Sequence, residues 1–228
     1  VSIGAGVVSI DVQDELTFND AITGTGTFTL TSTAGTVTVA NIQNTGEINI
    51  DGDVGITLTG TDYISIADSI ALTGNVSLEN NVTLTAQAGN ITINDNVDAD
   101  DAGGNNRTLS LDAGGAGTIA VDGTVGFTQS LAGLTIINSG NANFAETVDV
   151  TDSTGDVLIA DTAAAGTVTF AADLQAGTLT AQNSANAYNV TLTGGATVSD
   201  ATVFSNTGDA TLGDGLGAND TYNHWTNA

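Results

Sequence analysis

The sequence contains no cysteine, proline, methionine or lysine, and Arg107 is its only arginine. The absence of cysteine excludes disulfides and thiolate chemistry, but it does not decide the compartment. Aromatic residues make up only 4% of the 228 residues, whereas hydrophobic residues reach 40%, chiefly as Val, Ile, Leu and Ala. No apolar run of about 18 residues is present, so we predict no transmembrane helix.

Positive charge is nearly absent, because 26 carboxylates are opposed by one cation and the net charge is −25. The carboxylates stand singly, mostly beside Gly or Asn, rather than in the blocks typical of disordered acidic tails. So negative a surface repels phosphates and anionic lipids, which argues against a nucleic-acid partner and against membrane insertion. It attracts cations, above all Ca²⁺ where carboxylates meet carbonyl oxygens. We therefore expect an extracellular or cell-surface protein.

The ends of the chain carry no recognisable targeting or capping signal. The sequence does not begin with Met, and residues 1–10 lack the basic segment of a signal peptide. We therefore expect a processed product or a fragment of a larger precursor. Residues 1–10 already resemble a strand, and no helix or polar cap is visible near Ala228. Because uncapped sheet edges invite pairing with another chain, this pattern predicts end-to-end assembly.

A short motif recurs along the chain: Gly, a small polar or acidic residue, then apolar–x–apolar. The alternation within each copy has the period of a strand, and Gly marks the turn before it. Thr, Val and Ile favour this extended state. The copies begin at Gly35, Gly46, Gly74, Gly89, Gly117, Gly155, Gly166, Gly177 and Gly208.

The spacing of the copies favours a parallel β-solenoid over a β-sandwich. Pairs of strands repeat at about 19 to 20 residues, as in the row Val37, Ile56 and Val76, and stacked repeats explain identical motifs with a small aliphatic core. A coil of about 20 residues gives roughly 11 coils and a rod on the order of 50 Å long. We predict one all-β array over residues 1–228, with an inserted loop at 94–107 and a tail at 213–228.

A second motif places Asn before a small residue and Gly, as in Ile42-Gln43-Asn44-Thr45-Gly46 and Phe204-Ser205-Asn206-Thr207-Gly208. Ile137-Asn138-Ser139-Gly140 is a shorter copy. Asn tolerates left-handed backbone and bonds its own turn. The motif therefore predicts turns between strands.

Two segments carry a family resemblance. Residues 84–93 (LTAQAGNITI) resemble the degenerate repeats of filamentous-haemagglutinin-type exoproteins, and residues 204–214 (FSNTGDATLGD) resemble those of large bacterial β-strand-repeat surface proteins. The resemblance covers most of the chain. It implies a right-handed parallel β-helix, secretion to the cell surface, and a role as an adhesin shaft or fibre.

The densest acidic stretch, residues 95–104, is a candidate Ca²⁺ site. An EF-hand loop beginning at Asp98 is excluded, because Ala102 and Leu109 stand where the fifth and twelfth positions need ligands. A looser site in the inserted loop stays open beside the alternative of a solvated loop. The candidate ligands are Asp95, Asp98, Asp100 and Asp101.

The C-terminal tail supplies two further candidates. Residues 215–222 resemble one degraded repeats-in-toxin nonapeptide, with Asp220 as its candidate Ca²⁺ ligand, although a single copy cannot build a stacked array of ions. Tyr222, His224 and Trp225 form an aromatic patch. This patch either docks into a neighbouring subunit as an assembly interface or caps the last coil.

Catalysis has little support in this sequence. His224 is the only histidine and lies four residues from the end, where a frayed tail holds a base poorly. A carboxylate pair on a β-helix could cleave polysaccharides, but few aromatic residues or cations are available to bind a sugar chain. We predict no enzyme and no cofactor other than Ca²⁺.

Threonine pairs of the form Thr-x-Thr offer one more alternative. Stacked in register, they would form a flat array of hydroxyl and methyl groups such as ice-binding solenoids present; otherwise Thr is simply a good outward strand residue. The pairs are Thr36/Thr38, Thr57/Thr59, Thr83/Thr85, Thr167/Thr169, Thr178/Thr180 and Thr191/Thr193.

Three functions follow from these observations. The first is an extracellular structural subunit that self-associates end to end into a fibre, with Ca²⁺ as its candidate cofactor. The second is a shaft segment of a large secreted adhesin with a surface ligand or polysaccharide as its partner. The third is a β-helix enzyme that degrades polysaccharides.

Overall fold

The structure, a computed structural model, describes residues 1–2, 4–100, 107–152, 155–213 and 222–223. Its regular structure within these residues consists of 26 strands and no helix. The strands pair in parallel and stack as a β-solenoid of about 9 turns with ~22 residues per turn. The predicted all-β parallel solenoid is therefore confirmed. In the same described ranges there is no helix long and apolar enough to span a membrane.

The coils form three faces, each a parallel sheet. Face 1 contains β1 (Val8–Val12), β4 (Phe28–Ser32), β7 (Ile48–Gly52), β10 (Ile70–Thr73), β13 (Ile91–Ile93), β16 (Thr118–Val121), β18 (Asn141–Phe144), β21 (Thr167–Phe170), β23 (Asn189–Leu192) and β25 (Ala210–Leu212). Face 2 contains β2 (Leu16–Phe18), β5 (Thr36–Val39), β8 (Gly55–Leu58), β11 (Val76–Leu78) and β14 (Val97–Ala99).

Face 3 is the longest sheet, and two of its strands are long enough to reach around the corner to face 2. It contains β3 (Ile22–Gly24), β6 (Ile42–Asn44), β9 (Asp62–Ser65), β12 (Val82–Ala86), β15 (Thr108–Asp112), β17 (Gly133–Asn138), β20 (Asp156–Ile159), β22 (Leu174–Ala181), β24 (Ala196–Phe204) and β26 (Tyr222–Asn223), with β19 (Val148–Val150) paired to β22.

Alternating side chains build the core. In β5 the side chains of Val37 and Val39 are buried, while those of Thr36 and Thr38 face outward and are half-buried. A strand shows opposite faces at successive residues, so each short apolar–x–apolar repeat sends two side chains inward. Each fully buried Val, Ile or Leu contributes about 1.5–3 kcal/mol relative to exposure.

Inward residues stack directly on one another from coil to coil. Val37 pairs with Ile56, and Ile56 pairs with Val76, which confirms the row predicted from the sequence. Aromatic rings follow the same rule, because Phe144 and Phe170 stack with centroids 5.0 Å apart and planes 9° from parallel. The core is therefore one continuous cluster that is built from stacked columns.

Coil length varies along the solenoid. The first coils repeat at 20 residues, whereas Asn90 and Thr118 occupy neighbouring coils 28 residues apart. The predicted coil of about 20 residues is thus close, but the predicted 11 coils were too many, because longer turns consume residues without adding strands. Within the segment predicted as an inserted loop, β14 occupies Val97–Ala99, and residues 101–106 lie outside the described residues.

Glycines stack at the corner that precedes face 1. A Cβ on Gly46 would come within 2.7 Å of the Gly26 carbonyl carbon, and one on Gly117 would collide with the carbonyl oxygens of Gly89 and Ala113. Backbones of successive coils therefore approach too closely here for any side chain. Other glycines of the repeated motif serve different corners, since Gly35 precedes β5 on face 2.

Asparagine side chains join successive coils at the corners. Asn96 Oδ1 accepts hydrogen bonds from the Thr124 backbone N–H at 2.9 Å and from its hydroxyl at 2.7 Å. Asn141 Oδ1 accepts from the Thr167 N–H at 2.9 Å in the same way. Each such bond satisfies a turn N–H that no strand partner reaches.

The second sequence motif has a defined role. Asn44 is 2% exposed, and its Nδ2 donates to the carbonyls of Gly26 at 2.5 Å, Gly46 at 3.1 Å and Glu47 at 3.2 Å. Asn206 Nδ2 likewise donates to a carbonyl that lies 18 residues earlier and to a second carbonyl that lies two residues later. In two of the three predicted turns, those of Asn44 and Asn206, the asparagine amide thus ties one coil to the previous one.

Candidate binding surface

Face 2 carries a groove of about 480 Å³ on its outer side. The groove crosses four neighbouring strands, β5, β8, β11 and β14, and therefore runs along the solenoid axis. At the strand spacing of a sheet, these four strands cover about 14 Å. Its lining includes Val54, Thr57, Ser77, Glu79, Asp98 and Gln129.

The floor of the groove is a row of short polar side chains in register. Thr57 pairs with Ser77, and Ser77 pairs with Asp98. These residues alternate with the buried Val37, Ile56 and Val76 row, so the strand period turns them outward.

A bulge formed by residues 126–130 walls the groove at the β14 end. In the coil after β14, face 2 narrows to the isolated bridge residue Val125, which pairs with Val97 before it and with Val148 after it. Gly126 then takes a left-handed conformation at φ +76°. A side chain at Gly126 would collide with the Asp149 carbonyl oxygen, so the turn that starts the bulge requires glycine. Phe127 follows and is 72% exposed.

Asp98 fixes the bulge against the sheet. Its Oδ1 accepts hydrogen bonds from the backbone N–H groups of Thr128 at 2.8 Å and Gln129 at 3.2 Å. The Ala99 N–H in turn donates to the Gln129 carbonyl at 3.2 Å. The carboxylate at the end of the hydroxyl row and the main-chain hydrogen bond from Ala99 therefore hold the wall in place together.

Asp100 forms the second fixed carboxylate of the groove. Its two oxygens accept from Arg107 Nε and Nη2, both at 2.9 Å, in a bidentate pair. This hydrogen bond to Asp100 raises the pKa of Arg107, so the guanidinium stays charged. The only arginine of the chain is thus held by one groove carboxylate.

The predicted Ca²⁺ ligands are placed separately by the structure. Asp95 Oδ2 accepts from the Gly74 N–H at 2.9 Å, while Asp98 and Asp100 hold the bulge and Arg107. Within the described ranges no group of three or more His, Cys, Asp or Glu side chains could hold a metal ion. Asp101 and Asp220 lie outside the described residues, and the calcium site stays a prediction.

The predicted assembly patch is described only in part. The main chain of Tyr222 continues face 3, because Tyr222 pairs with Ala196 in the register of β24 and β26. His224 and Trp225 lie outside the described residues. The choice between docking and capping therefore stays open for this patch.

Two buried tyrosines look chemically unusual but have structural partners. The Tyr63 hydroxyl donates to the Val39 carbonyl at 2.7 Å and accepts from the Gly60 N–H at 3.0 Å, and burial raises its pKa. Burial also raises the pKa of Tyr188 to about 12, and its hydroxyl donates to the Gln182 carbonyl at 2.7 Å. Both rings cross-link turns and coils, which is a packing role.

The threonine pairs do not form one flat array. Thr36 and Thr38 belong to face 2, Thr83 and Thr85 to face 3, and Thr167 to face 1. Because the pairs are divided among three faces, the structure lacks a shared surface on which all of them could meet a lattice such as ice.

Carboxylates on strands are separated from one another by neutral neighbours. Asp11 and Asp51 both pair with Thr31, which lies between them, and Asp98 pairs with Ser77. In the strand registers that the structure describes, no carboxylate faces another directly. Uncharged residues are likewise the strand partners of Asp62, Asp112, Asp149 and Asp156.

Sequence reasoning missed the bulge and therefore the walled groove. The available signal was the stretch Gly126-Phe127-Thr128-Gln129, in which an aromatic residue stands among polar ones and the apolar–x–apolar pattern stops. That signal marks a break in a strand, but it does not say which face is interrupted.

Comparisons with known protein families, with curated proteins and with solved structures find no match to this chain. The parallel β-solenoid is therefore established from the structure alone. A filamentous-haemagglutinin-like identity stays an implication of the resemblance in two segments.

Proposed function

We propose that this chain is an extracellular structural rod that assembles end to end into a fibre. The observation that carries the proposal is the pair of open edges on face 1. Among the described strands, β1 pairs only with β4, and β25 pairs only with β23. An open edge is a template for another parallel strand.

The hydrogen-bonding groups of the first edge can be assigned. The Val8 N–H donates to the Thr27 carbonyl at 2.9 Å, so Val8 bonds toward β4. Successive residues of a parallel strand bond to opposite sides. The backbone N–H and C=O groups of Ser9 and Asp11 therefore point away from the solenoid.

The opposite edge presents the matching groups. The Val190 N–H donates to the Asp209 carbonyl at 2.9 Å, so Asp209 bonds toward β23. By the same alternation the peptide groups of Ala210 and Leu212 point outward. Both edges belong to face 1 and run parallel, which lets a second copy continue the sheet.

Apolar side chains at these coils are incompletely covered. Phe18, Leu16 and Ile10 are only partly buried, and Leu212 is 45% exposed, whereas Leu30 in the next coil is fully buried. A stacked copy would remove this apolar surface from water at about 25 cal/mol per Å².

Charge opposes the association and makes it dependent on ions. Each subunit carries −25, so two copies repel one another unless salt or divalent cations screen them. We propose Ca²⁺ as the physiological screening ion, since carboxylate and carbonyl oxygens are its preferred ligands.

A single edge substitution tests the fibre. Ser9→Pro removes an outward N–H without removing a bond to β4, and proline is tolerated on edge strands. We expect electron microscopy in millimolar CaCl₂ to show filaments for the unchanged chain and for Ser9→Ala, but only short rods for Ser9→Pro.

The controls separate fibre failure from misfolding and from general screening. Melting temperatures of the two Ser9 variants should agree, and NaCl at matched ionic strength shows whether calcium acts beyond screening. Filaments that persist in Ser9→Pro, or monomers of the unchanged chain at high concentration with calcium, would rule out assembly through this edge.

The same open edges also favour the adhesin shaft as a second candidate. There the neighbouring coils of a longer chain would cover the edges covalently, and the isolated rod would stay monomeric. An extended chain that includes those coils would then melt at a higher temperature than this one, because repeat stability sums over neighbour contacts.

A further inference from the structure

The groove on face 2 differs from the rest of the described surface in having a wall and an exposed aromatic beside it. Among the aromatic side chains that the structure describes, Phe127 alone is strongly exposed, and it adjoins Thr128, which lines the groove. Val54 lines the groove as well and is 60% exposed. Ligand sites combine apolar and aromatic side chains with a few polar groups that orient the ligand, and the groove with its neighbour Phe127 offers both.

The floor of the groove has unused hydrogen-bonding capacity. The Thr57 and Ser77 hydroxyls make no hydrogen bond within the described part of the chain, and neither does the Asn75 side-chain amide. Hydroxyls and amides both donate and accept. A ligand that carries many hydroxyl groups would match this row.

The charges of the groove decide between ligand classes. Glu79, Asp98 and Asp100 repel an anionic ligand. A polycation would meet only part of this charge, because Arg107 already neutralises Asp100 and two backbone N–H groups occupy one oxygen of Asp98. Both carboxylates nevertheless keep lone pairs that accept hydrogen bonds from hydroxyl groups.

We propose that this groove binds a neutral glycan, which lies along the solenoid axis with its hydroxyls on Ser77, Thr57 and Asp98 and with Phe127 against a sugar ring. The proposal goes beyond the structural role and does not depend on fibre formation. Binding is therefore measured on the monomeric Ser9→Pro variant and on the unchanged chain alike.

Calorimetric titration with neutral hexasaccharides tests the proposal. The probes are cellohexaose, maltohexaose, xylohexaose and mannohexaose. We expect at least one to bind, Ser77→Tyr to abolish its binding by filling the groove, and Phe127→Ala to weaken it about tenfold, as loss of an aromatic anchor does.

Matched controls lie away from the groove. Thr92→Tyr adds the same ring at an outward position of face 1, and Glu146→Gln removes an exposed carboxylate that does not line the groove; neither should change the affinity. Melting temperatures confirm that each variant folds. Salt should leave the affinity unchanged, because the ligand is uncharged.

Three results would overturn the proposal. The first is that none of the four hexasaccharides binds at millimolar concentration. The second is that Ser77→Tyr leaves hexasaccharide binding unchanged. The third is that a hexalysine peptide binds with an affinity that Ser77→Tyr lowers and that falls with salt. The last result would assign the groove to a basic peptide instead.

Discussion

Buried asparagine amides set the geometry of the corners one residue at a time. Asn44 donates to three carbonyls, two of its own turn and one of the previous coil. Because backbone groups in a corner have no strand partner, an amide is the group that can satisfy several of them at once. The corner therefore depends on residue identity as strongly as the core does.

We expect Asn44→Ala to destabilise the fold by about 2–3 kcal/mol, because buried carbonyls lose their donor. Urea unfolding followed by circular dichroism measures the change. Asn143→Ala is the matched control, since Asn143 faces outward, is exposed and should stay within about 0.5 kcal/mol of the unchanged chain. Equal effects of the two substitutions would contradict this role of Asn44.

At the scale of elements, the glycine column lets successive coils approach closely. Gly117 lies where a side chain would strike Gly89 and Ala113, whereas the nearest atom to a side chain on Gly115 is Asn138 Oδ1, at 4.0 Å. Both glycines belong to the same turn. A comparison of alanine substitutions at the two positions therefore separates the cost of the close backbone contacts at Gly117 from the effect of reduced chain flexibility.

We expect Gly117→Ala to destabilise the protein by about 2 kcal/mol or more, because backbone atoms must shift to admit the methyl group. Gly115→Ala should be neutral, or stabilising by about 0.4–1 kcal/mol through the unfolded chain. Thermal and urea unfolding of the two variants provide the comparison. A Gly117→Ala protein as stable as Gly115→Ala would show that the corner relaxes without cost.

The strands were predictable because their pattern is local. The Val37, Ile56 and Val76 row followed from period-two alternation and a repeat near 20 residues, and the register confirms it. Which corner each glycine serves was not predictable, since one motif is reused before strands of all three faces. The groove was not predictable either, because its wall depends on Gly126 meeting the backbone of a later coil.

At the scale of the whole molecule, the sequence separates like charges despite a net charge of −25. Thr31 keeps Asp11 and Asp51 two strands apart, about 10 Å at the spacing of a sheet. Directly opposed like charges destabilise a strand pair. The dispersal explains how so acidic a chain can stack in parallel.

We expect Thr31→Asp to destabilise the protein by about 1 kcal/mol or more at low salt, because it places three carboxylates in consecutive strands. Thr29→Asp is the matched control, since Thr29 lies in the same strand between Ser9 and Asn49. The difference between their melting temperatures should vanish near 1 M NaCl, where charges are screened. A difference independent of salt would show that charge is not its cause.

The direction of the hydrogen bonds has a mechanical consequence. The hydrogen bonds between coils run along the solenoid axis. A pulling force along this axis therefore acts on all the strands of one coil at the same time, and the coil detaches from its neighbour as a unit. With ~22 residues per turn, each detachment frees up to roughly 75 Å of chain. A solenoid with this hydrogen-bond direction is expected to lengthen in steps under tension and to absorb work at every step.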